Sequence, residues 1–320
     1  MKISKAIPIL LAILFLGILV SCNNEGVVDD AFTVTVSFNG NGATSGSMEA
    51  KKVGRGTDTR LEANAFERTF YRFTGWNTAS DGSGTAYTDE QSISSKENIT
   101  LYAQWELDPI ILTNDLKAWT DGNYYTLNSD VTMSWFVVVT GDVTLILADG
   151  YTLTASMGIV VNEGNSLTIE GEGSGTLVSI GSGGFAGIGG GIHGNGGAIT
   201  INGGTVNATG NGGGAGIGGG DGGNGGVITI NNGTITATGG DNGAGIGGGI
   251  HGNGGAITIN GGTVNATGKV GGAGIGRGDG GTSDGNLTLG EGVAMLVSND
   301  NSHWYDYNGT NRRQYMKTVQ

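Results

Sequence analysis

Cysteine, proline and basic side chains are scarce in this 320-residue chain, which holds one cysteine, two prolines and 15 lysines and arginines. A single cysteine excludes an intramolecular disulfide framework. The formal net charge of −13 argues against a nucleic-acid partner, because such a partner requires a basic face. Charged residues make up only 13% and aromatic residues only 7% of the chain, whereas glycine supplies 67 residues. Taken alone, this composition would also suit a disordered chain.

Long apolar runs are absent outside the N-terminus, so no later stretch predicts a membrane-spanning helix. At the N-terminus two lysines precede an apolar run from Ile7 to Val20, and a small residue, Ser21, follows it. This order predicts a secretory signal over residues 1–21. The stretch Leu19-Val20-Ser21-Cys22 resembles the bacterial lipobox. The resemblance implies that Cys22 becomes a lipidated N-terminus, and an ordinary signal or a short membrane anchor is the alternative.

Glycine is abundant because a unit of 29 residues repeats between residues 186 and 289. The triplet Ala186-Gly187-Ile188 returns 29, 58 and 87 residues later, and Ile199-Thr200-Ile201 returns at 228–230 and 257–259. A weaker copy, Leu287-Thr288-Leu289, comes one residue late. A disordered linker does not need apolar residues at a strict register, so the repeat predicts a stack of similar coils.

Each unit contains three short segments in which apolar and polar residues alternate, which is typical of strands. Glycine and asparagine clusters separate the segments and indicate turns. Three strands and three corners per unit predict a triangular coil, and stacked coils predict a parallel β-helix. The coils would follow at the strand spacing of about 4.8 Å, with the isoleucines inside and Asn202, Asn231 and Asn260 in a column at one corner.

The β-helix is predicted over residues 121–320, preceded by a linker at 106–120 that contains Pro109. Less regular copies of the three segments occur at 143–147, 151–155 and 158–160, and the next coil has copies at 167–169 and 176–178. Trp135 and Phe136 near them are expected to serve as end caps. Residues 290–320 lose the glycine pattern and are predicted to cap the C-terminal end. An uncovered end would expose an unpaired strand edge.

Residues 32–105 form a separate unit after a polar tether at 22–31. The pair FTGWNTASDGSGTAY (residues 73–87) and ITLYAQW (residues 99–105) resembles the Listeria–Bacteroides repeat, also called the internalin B-type B-repeat. The resemblance implies a small β-grasp-like module of secreted and cell-surface proteins. Trp76, Tyr102 and Trp105 are expected to form its core rather than a sugar-stacking platform, since a small domain needs large side chains to bury. Asp81 is expected to form a turn rather than a cation site.

The phrase GAGIGGG (residues 214–220) followed by GNGG and ITINGGTVNATG (residues 252–268) resembles Gly-rich right-handed parallel β-helix proteins of bacteria. Their superfamily includes pectate lyases, passive adhesins and carbohydrate-binding modules. The predicted fold class is therefore all-β, with a β-grasp-like module followed by a right-handed parallel β-helix. The resemblance implies little about activity.

Groups that would support catalysis are sparse in the repeats. Asp221 and Asp279 share one loop position but lie two coils apart, about 9–10 Å in a regular stack. Glycosidases need paired carboxylates at about 5–10 Å, so the spacing fits, but no neighbouring donors accompany the pair. His193 and His251 share another loop position, also two coils apart, and cannot ligate one metal ion. We expect no catalytic residues, no metal and no cofactor.

One regular surface remains as a candidate ligand face, and the same residues would also suit a plain solubilising face. Its polar side chains alternate with apolar ones in three successive units and comprise Thr205, Asn207, Thr209, Thr234, Thr236, Thr238, Thr263, Asn265 and Thr267. We call these nine the Thr/Asn face. The sequence predicts a non-enzymatic lipoprotein of the bacterial cell envelope, at the outer-membrane surface, for adhesion or structural display. The alternatives are a carbohydrate-binding protein and an atypical polysaccharide lyase. The expected partners are the membrane, through the lipid, and a polysaccharide or another cell's surface.

Overall fold

The computed structural model describes residues 32–69, 71–299, 305–307 and 315–319. Within these ranges the regular elements are strands, and no helix could cross a bilayer. The predicted leader, the tether and Cys22 lie outside the described residues. Contacts between residues divide the chain into two compact units, and the main boundary between them lies between Trp105 and Glu106.

The first unit is built on a five-stranded sheet with the order β2-β1-β7-β4-β5, beside the two-stranded sheet β3-β6. Strands β1 and β7 run parallel, whereas β1 and β2 run antiparallel. The strands are β1 (Thr33–Asn39), β2 (Lys51–Gly54), β3 (Thr59–Arg60), β4 (Tyr71–Asn77), β5 (Ala86–Tyr87), β6 (Ser92–Ile93) and β7 (Ile99–Leu107).

Trp76 forms the centre of the core of the first unit and is 1% exposed. The rings of Phe38 and Phe73 each contact it edge-on with centroids 5.0 Å apart. Trp105 is half-buried, packs against Phe73 and donates its indole N–H to the Gly40 carbonyl oxygen at 2.9 Å. These contacts confirm the core interpretation of Trp76.

In the second unit the chain contributes successive strands to three different sheets in turn. In chain order they are β8 (Ile110–Ile111), β9 (Ala118–Thr120), β10 (Tyr124–Thr126), β11 (Val131–Met133), β12 (Val137–Thr140), β13 (Asp142–Leu147), β14 (Thr152–Ala155), β15 (Ile159–Val160), β16 (Ser166–Gly171), β17 (Thr176–Ile180), β18 (Ile188–Gly189), β19 (Ala198–Ile201), β20 (Thr205–Thr209), β21 (Ile217–Gly218), β22 (Val227–Ile230), β23 (Thr234–Thr238), β24 (Ile246–Gly247), β25 (Ala256–Ile259), β26 (Thr263–Thr267), β27 (Ile275–Gly276), β28 (Asn286–Leu289), β29 (Ala294–Ser298), β30 (Tyr305–Asp306) and β31 (Tyr315–Val319).

Sheet I has the order β28-β25-β22-β19-β16-β13-β10-β8. Sheet II has the order β11-β14-β17-β20-β23-β26-β31-β29-β30, and sheet III has the order β27-β24-β21-β18-β15-β12-β9. Neighbouring strands in sheets I and III are parallel, as are those of sheet II from β11 to β26. Three parallel sheets wound by one chain are a parallel β-helix, which confirms the predicted fold class.

The register follows the predicted period where the repeat is regular. Ile201 pairs with Ile230, and Ile230 pairs with Ile259, so each coil advances the chain by one repeat unit. The preceding coils are irregular, since the step from Leu145 to its partner Ile169 is shorter than a repeat unit, and the step from Ile169 to its partner Ile201 is longer. The turns differ in length and account for the unequal number of residues per coil, because the strands keep their inward and outward sides.

One core runs the length of the β-helix, filled by one side of every strand. Ile228 and Ile230 of β22 are 0% exposed, whereas Thr229 between them points outward. In β23 the inward residues Ile235 and Ala237 are likewise fully buried. Burial of branched side chains at about 25 cal/mol per Å² is the main stabilising contribution of such a stack.

The predicted asparagine column exists and forms a hydrogen-bonded ladder. Asn260 Nδ2 donates to Asn231 Oδ1 at 2.7 Å, and Asn231 Nδ2 donates to Asn202 Oδ1 at 2.7 Å. Asn202 Nδ2 in turn donates to Glu170 Oε1 at 2.6 Å, so the ladder ends on a charged acceptor. Identical coils therefore satisfy one another's amide groups along this corner.

The boundaries of the β-helix differ from the sequence prediction. Strands β8 and β9 already belong to sheets I and III, so residues 110–111 and 118–120 of the predicted linker are part of the β-helix. Short strands are hard to recognise from sequence, because two or three residues show no alternation. Trp135 and Phe136 do not cap the core: they are 55% and 40% exposed. Trp119, fully buried and stacked on Tyr125, fills the first coils instead.

The C-terminal segment continues sheet II in the opposite direction. Strand β31 pairs antiparallel with β26, and β29 pairs antiparallel with β31. Met295 and Met316 from these strands are buried and join the core. Tyr307 packs against the same core, whereas Trp304 lies outside the described residues.

Candidate functional site

The Thr/Asn face lies on the outer side of strands β20, β23 and β26. The residues that alternate with it, such as Val206 and Ala208, are buried, so the nine polar side chains must point outward. Parallel pairing aligns them in three columns, which are Thr205–Thr234–Thr263, Asn207–Thr236–Asn265 and Thr209–Thr238–Thr267. The structure therefore brings all nine predicted residues onto one surface.

The hydrogen-bonding groups of this face are largely uncommitted. Thr263 has a partner, but the side chains of the other eight make no hydrogen bond to any residue that the structure describes. Asn207 and Asn265 cannot form a ladder, because Thr236 stands between them in the column. In contrast, the side-chain amides of the asparagines at 202, 231 and 260 form hydrogen bonds with one another. The nine residues also carry no charge, although the chain as a whole is strongly acidic.

The face extends beyond the residues predicted from sequence. The first column continues into the irregular coils as Thr176, which pairs with Thr205, and Thr152, which pairs with Thr176. The second column continues as Val178 and Thr154. The copies at 151–155 and 176–178 were recognisable as strands, but only the register shows that their outer residues join this face.

A groove of about 520 Å³ follows the corner between sheets III and I and was not predicted. Two carboxylates lie at one end of the groove, and both accept hydrogen bonds from protein side chains. Asp142 Oδ1 accepts from Ser166 Oγ at 2.6 Å, and Glu163 Oε2 accepts from Asn195 Nδ2 at 2.9 Å. No lysine, arginine or histidine is among the described residues that line it: Asp142, Glu163, Gly164, Asn165, Ser166, Asn195, Gly196, Gly197, Ala198, Asn224, Gly226, Val227 and Gly255.

The loops that carry Asp221 and Asp279 are separated by another loop. The Gly222 N–H donates to the Ile250 carbonyl at 3.0 Å, and the His251 N–H donates to the Asp279 carbonyl at 2.7 Å. The loop with Ile250 and His251 therefore lies between the two aspartates, as the repeat predicted. No cluster of three or more histidine, cysteine, aspartate or glutamate side chains suitable for a metal ion occurs among the described residues.

His193 and His251 alternate with glycine at one loop position of successive coils. Both histidines have left-handed φ angles, 57° and 62°, and Gly222 and Gly280 at the same loop position have 76°. A Cβ on Gly222 would stand 3.2 Å from His193 Nδ1, and one on Gly280 would stand 2.3 Å from His251 Nδ1. Each ring thus covers the glycine of the next coil, and a side chain at that glycine would require the ring to move.

Asp81 in the first unit forms the turn that its sequence predicts. Its Oδ1 accepts from Ser83 Oγ at 2.7 Å and from the Ser83 N–H at 3.0 Å. The hydroxyl hydrogen bond, followed by the backbone one, lowers the pKa of the Asp81 carboxyl below its usual range. These bonds are local turn contacts and supply no ligand set for a cation.

Comparison with known families agrees with this architecture. Residues 35–104 match the family described as Listeria-Bacteroides repeat domain. Residues 199–221, 228–250 and 257–276 match the family described as Beta helix repeat. The chain carries a Listeria-Bacteroides repeat followed by beta helix repeats. No curated protein and no solved structure matches the chain.

The order of the two modules is the one that the sequence resemblance implied. The Listeria-Bacteroides repeat comprises β1–β7, and the matched beta helix repeats begin with β19 and end with β27. A Listeria-Bacteroides repeat joined to a β-helix suggests a repetitive, surface-type protein. The Thr/Asn face lies within the matched beta helix repeats.

Proposed function

We propose that the chain is a lipid-anchored protein of the bacterial cell envelope that adheres to uncharged polysaccharide through the Thr/Asn face, without catalysing a reaction. The observation that carries the proposal is the set of outward hydroxyl and amide groups in three aligned columns, eight of the nine side chains being without a hydrogen-bond partner in the described protein. Such groups can both donate to and accept from sugar hydroxyls.

The dimensions of the face favour a flat, extended partner. Three coils cover about 10 Å along the stack at the strand spacing, and each five-residue strand covers about 13 Å across it. A surface of this size without a deep pocket gives weak binding per molecule, because association must offset lost translational and rotational freedom. Display of many copies on one cell would raise the effective affinity by multivalency.

The absence of catalysis is supported by the environment of the carboxylates. In the groove between sheets III and I, Asp142 and Glu163 each accept a hydrogen bond from a neighbouring coil, and the described lining contains no basic side chain. A polysaccharide lyase needs a basic proton acceptor. An atypical lyase is the second candidate, favoured only by the acidic end of this groove.

The anchoring part of the proposal is tested at Cys22. Cys22→Ala should abolish lipid labelling and shift the protein out of the membrane fraction or leave it uncleaved, because no other thiol exists. The measurement is metabolic labelling with a tagged fatty acid, followed by fractionation. Membrane association that is unchanged in the variant would contradict lipid anchoring.

The binding part is tested at Thr236, the central residue of the face, which is exposed. Thr236→Glu should reduce pull-down on insoluble uncharged polysaccharides, such as cellulose or chitin, by at least about tenfold. The carboxylate would have to be desolvated against a neutral partner. The matched control is Thr229→Glu, the same change in the same coil on the outer side of sheet I.

Three outcomes separate the candidates. Binding lost in Thr236→Glu and retained in Thr229→Glu supports the Thr/Asn face. Equal binding of both variants and the unaltered protein, or no binding by the unaltered protein, contradicts it. Release of reducing ends from any polysaccharide by the unaltered protein would contradict the non-enzymatic role.

A further inference from the structure

Asn232 interrupts an otherwise regular glycine position in the turns between sheets I and II. The turns read Asn-Gly-Gly at 202–204, Asn-Asn-Gly at 231–233 and Asn-Gly-Gly at 260–262, and each joins a strand of sheet I to a strand of sheet II. The adjacent coils thus carry glycine where this coil carries Asn232. Asn232 and the following Gly233 line a cleft of about 390 Å³ that follows this corner.

An asparagine that is followed by glycine can undergo a reaction that needs no enzyme. The backbone nitrogen of the glycine attacks the side-chain carbon Cγ of the asparagine, a new N–Cγ bond forms, and the Cγ–Nδ2 bond breaks. The glycine N–H proton is lost and Nδ2 leaves as ammonia, which gives a cyclic succinimide. Water then opens the ring at either carbonyl and leaves aspartate or isoaspartate. Glycine favours the attack because it has no side chain to obstruct its nitrogen.

Hydrogen bonds can prevent this attack in a folded protein. A bond from the glycine N–H holds the proton that must be lost, and bonds to the asparagine side chain hold Cγ away from the backbone nitrogen. Ten Asn-Gly steps lie within the described residues. In nine of them the asparagine side chain, the glycine N–H or both form a hydrogen bond, and these steps begin at Asn39, Asn41, Asn195, Asn202, Asn211, Asn224, Asn242, Asn253 and Asn260.

At the corner between sheets III and I both groups are held. The Gly225 N–H donates to the Asn253 carbonyl oxygen at 2.9 Å, while Asn224 Oδ1 accepts from the Asn253 N–H at 2.8 Å. One coil earlier the Gly196 N–H donates to the Asn224 carbonyl oxygen at 2.8 Å, and Asn195 Oδ1 accepts from the Asn224 N–H at 2.9 Å. The Asn-Gly steps of this corner are therefore protected at the attacking nitrogen and at the side chain.

At the corner between sheets I and II the attacking nitrogens are not held. The N–H groups of Gly203, Gly233 and Gly261 donate to no acceptor in the part of the chain that the structure describes. Protection of an Asn-Gly step at this corner therefore depends on the asparagine side chain alone. Asn232 is exposed, and its side-chain amide has no hydrogen-bond partner among the described residues.

The asparagine ladder holds the side chains of the two equivalent steps. Asn202 Oδ1 accepts from Asn231 Nδ2 at 2.7 Å, and Asn202 Nδ2 donates to Glu170 Oε1 at 2.6 Å. Asn260 Nδ2 donates to Asn231 Oδ1 at 2.7 Å. The three turns thus share a free glycine nitrogen and differ in whether the side chain that it would attack is held.

We propose that Asn232 is a site of spontaneous modification, converted to aspartate or isoaspartate through attack by the Gly233 nitrogen, and that the asparagine ladder protects the equivalent steps of the adjacent coils. Among the described Asn-Gly steps, this one alone combines a free side-chain amide with a free glycine N–H. The open cleft beside it admits the water that hydrolyses the succinimide. The proposal goes beyond adhesion, since the reaction consumes only water and needs no ligand.

The product changes the corner in two ways. Either product adds a carboxylate two residues before Thr234 of the Thr/Asn face, and isoaspartate also lengthens the backbone by a methylene group between β22 and β23. A carboxylate beside the face would have to be desolvated against an uncharged polysaccharide, so the conversion should weaken adhesion. This consequence rests on the proposed function, whereas the conversion itself does not.

The test is prolonged incubation of the folded protein at mildly alkaline pH, where hydroxide can remove the glycine N–H proton. Proteolytic digestion and mass spectrometry with electron-transfer fragmentation then measure aspartate and isoaspartate at each asparagine. Asn232 should convert at least about tenfold faster than Asn202 and Asn260, because the amides of those two must first break hydrogen bonds. Equal rates at the three asparagines, or no conversion at Asn232, would overturn the proposal.

The same incubation in denaturant separates structure from local sequence. Each of the three asparagines is followed by glycine, so their rates should become similar once the coils are unfolded. A preference for Asn232 that persists in denaturant would assign the difference to local sequence and would contradict protection by the ladder.

Asn231→Ala tests the ladder directly. It removes the side-chain acceptor of Asn260 but leaves the bond from Asn202 to its glutamate acceptor, so conversion should accelerate by at least about tenfold at Asn260 and less at Asn202. The matched control is Asn265→Ala, the same change at an exposed position outside the ladder, which should alter neither rate. An unchanged rate at Asn260 in Asn231→Ala would contradict the protective role.

Asn232→Gly gives this coil the residue that the adjacent coils carry at the same position. It should abolish the fast conversion and leave the melting temperature unchanged. Fast conversion at this corner that persists in Asn232→Gly would assign the product to another residue and overturn the proposal. None of these measurements uses a polysaccharide, so this proposal and the adhesion proposal fail separately.

Discussion

Gly218→Ala should destabilise the β-helix by more than about 4 kcal/mol and unfold its middle coils. Gly218 ends β21 and belongs to a column with Gly189, Gly247 and Gly276, whose φ angles lie between 133° and 142°. L-residues avoid this conformation. A Cβ on Gly218 would also stand 2.1 Å from the Gly247 carbonyl oxygen, which belongs to the next coil. The backbone cannot move away without breaking the parallel pairing of sheet III.

The control is Gly183→Ala, at a turn glycine with a left-handed φ of 59° and no atom within 4 Å of the added Cβ. It should cost only about 1 kcal/mol, the ordinary penalty of a left-handed alanine. Thermal unfolding followed by circular dichroism compares the two variants, and amide exchange locates the coils that open. Similar melting temperatures of the two variants would mean that the coils are not stacked as closely as the glycine column of Gly218 requires.

Ile230→Asp should produce the second large loss of stability. Ile230 is fully buried and lies between Ile201 and Ile259 of the adjacent coils, which are also fully buried. The new carboxylate would have no partner in this apolar column, and burying it would cost several kcal/mol even if its pKa rises. Because each coil contacts only its neighbours, a defect in the middle would interrupt the stack on both sides.

Thr229→Asp is the matched control, one residue away in the same strand and pointing outward. It should change the free energy of unfolding by about 0.5 kcal/mol or less, apart from a small loss of strand propensity. The two variants are compared in the same thermal unfolding experiment. Equal melting temperatures of the two variants would contradict the inward orientation of the isoleucine column.

The repeat period and the inward side of each strand were predictable because both are local properties of the chain. The pattern Ile199-Thr200-Ile201 returns once in each regular repeat unit, and alternation in a strand assigns opposite sides to neighbours. The same reasoning identified the irregular copies at 143–147 and 167–169, which pair as expected in sheet I. It missed β8 and β9, since such short strands carry no periodic signal.

The candidate site was likewise predictable only in part. The nine residues of the Thr/Asn face were predictable, because they alternate with the buried residues of three repeated strands. The cleft at the corner between sheets I and II was not, because its lining comes from turns of separate coils that only stacking brings together. The groove with Asp142 and Glu163 was also hidden, since its lining residues come from separate coils of unequal length.

The sequence by itself determined the two modules, the three-stranded coil and the outward position of the threonines, because these depend on composition and on periods within one unit. Tertiary structure alone decided how coils of unequal length align, as with Ile169 between Leu145 and Ile201. It also decided that the ring of His193 covers Gly222 and that the ring of His251 covers Gly280. The physical reason is that these features arise from contacts between coils, where the allowed side chain depends on atoms that lie a whole coil away along the chain.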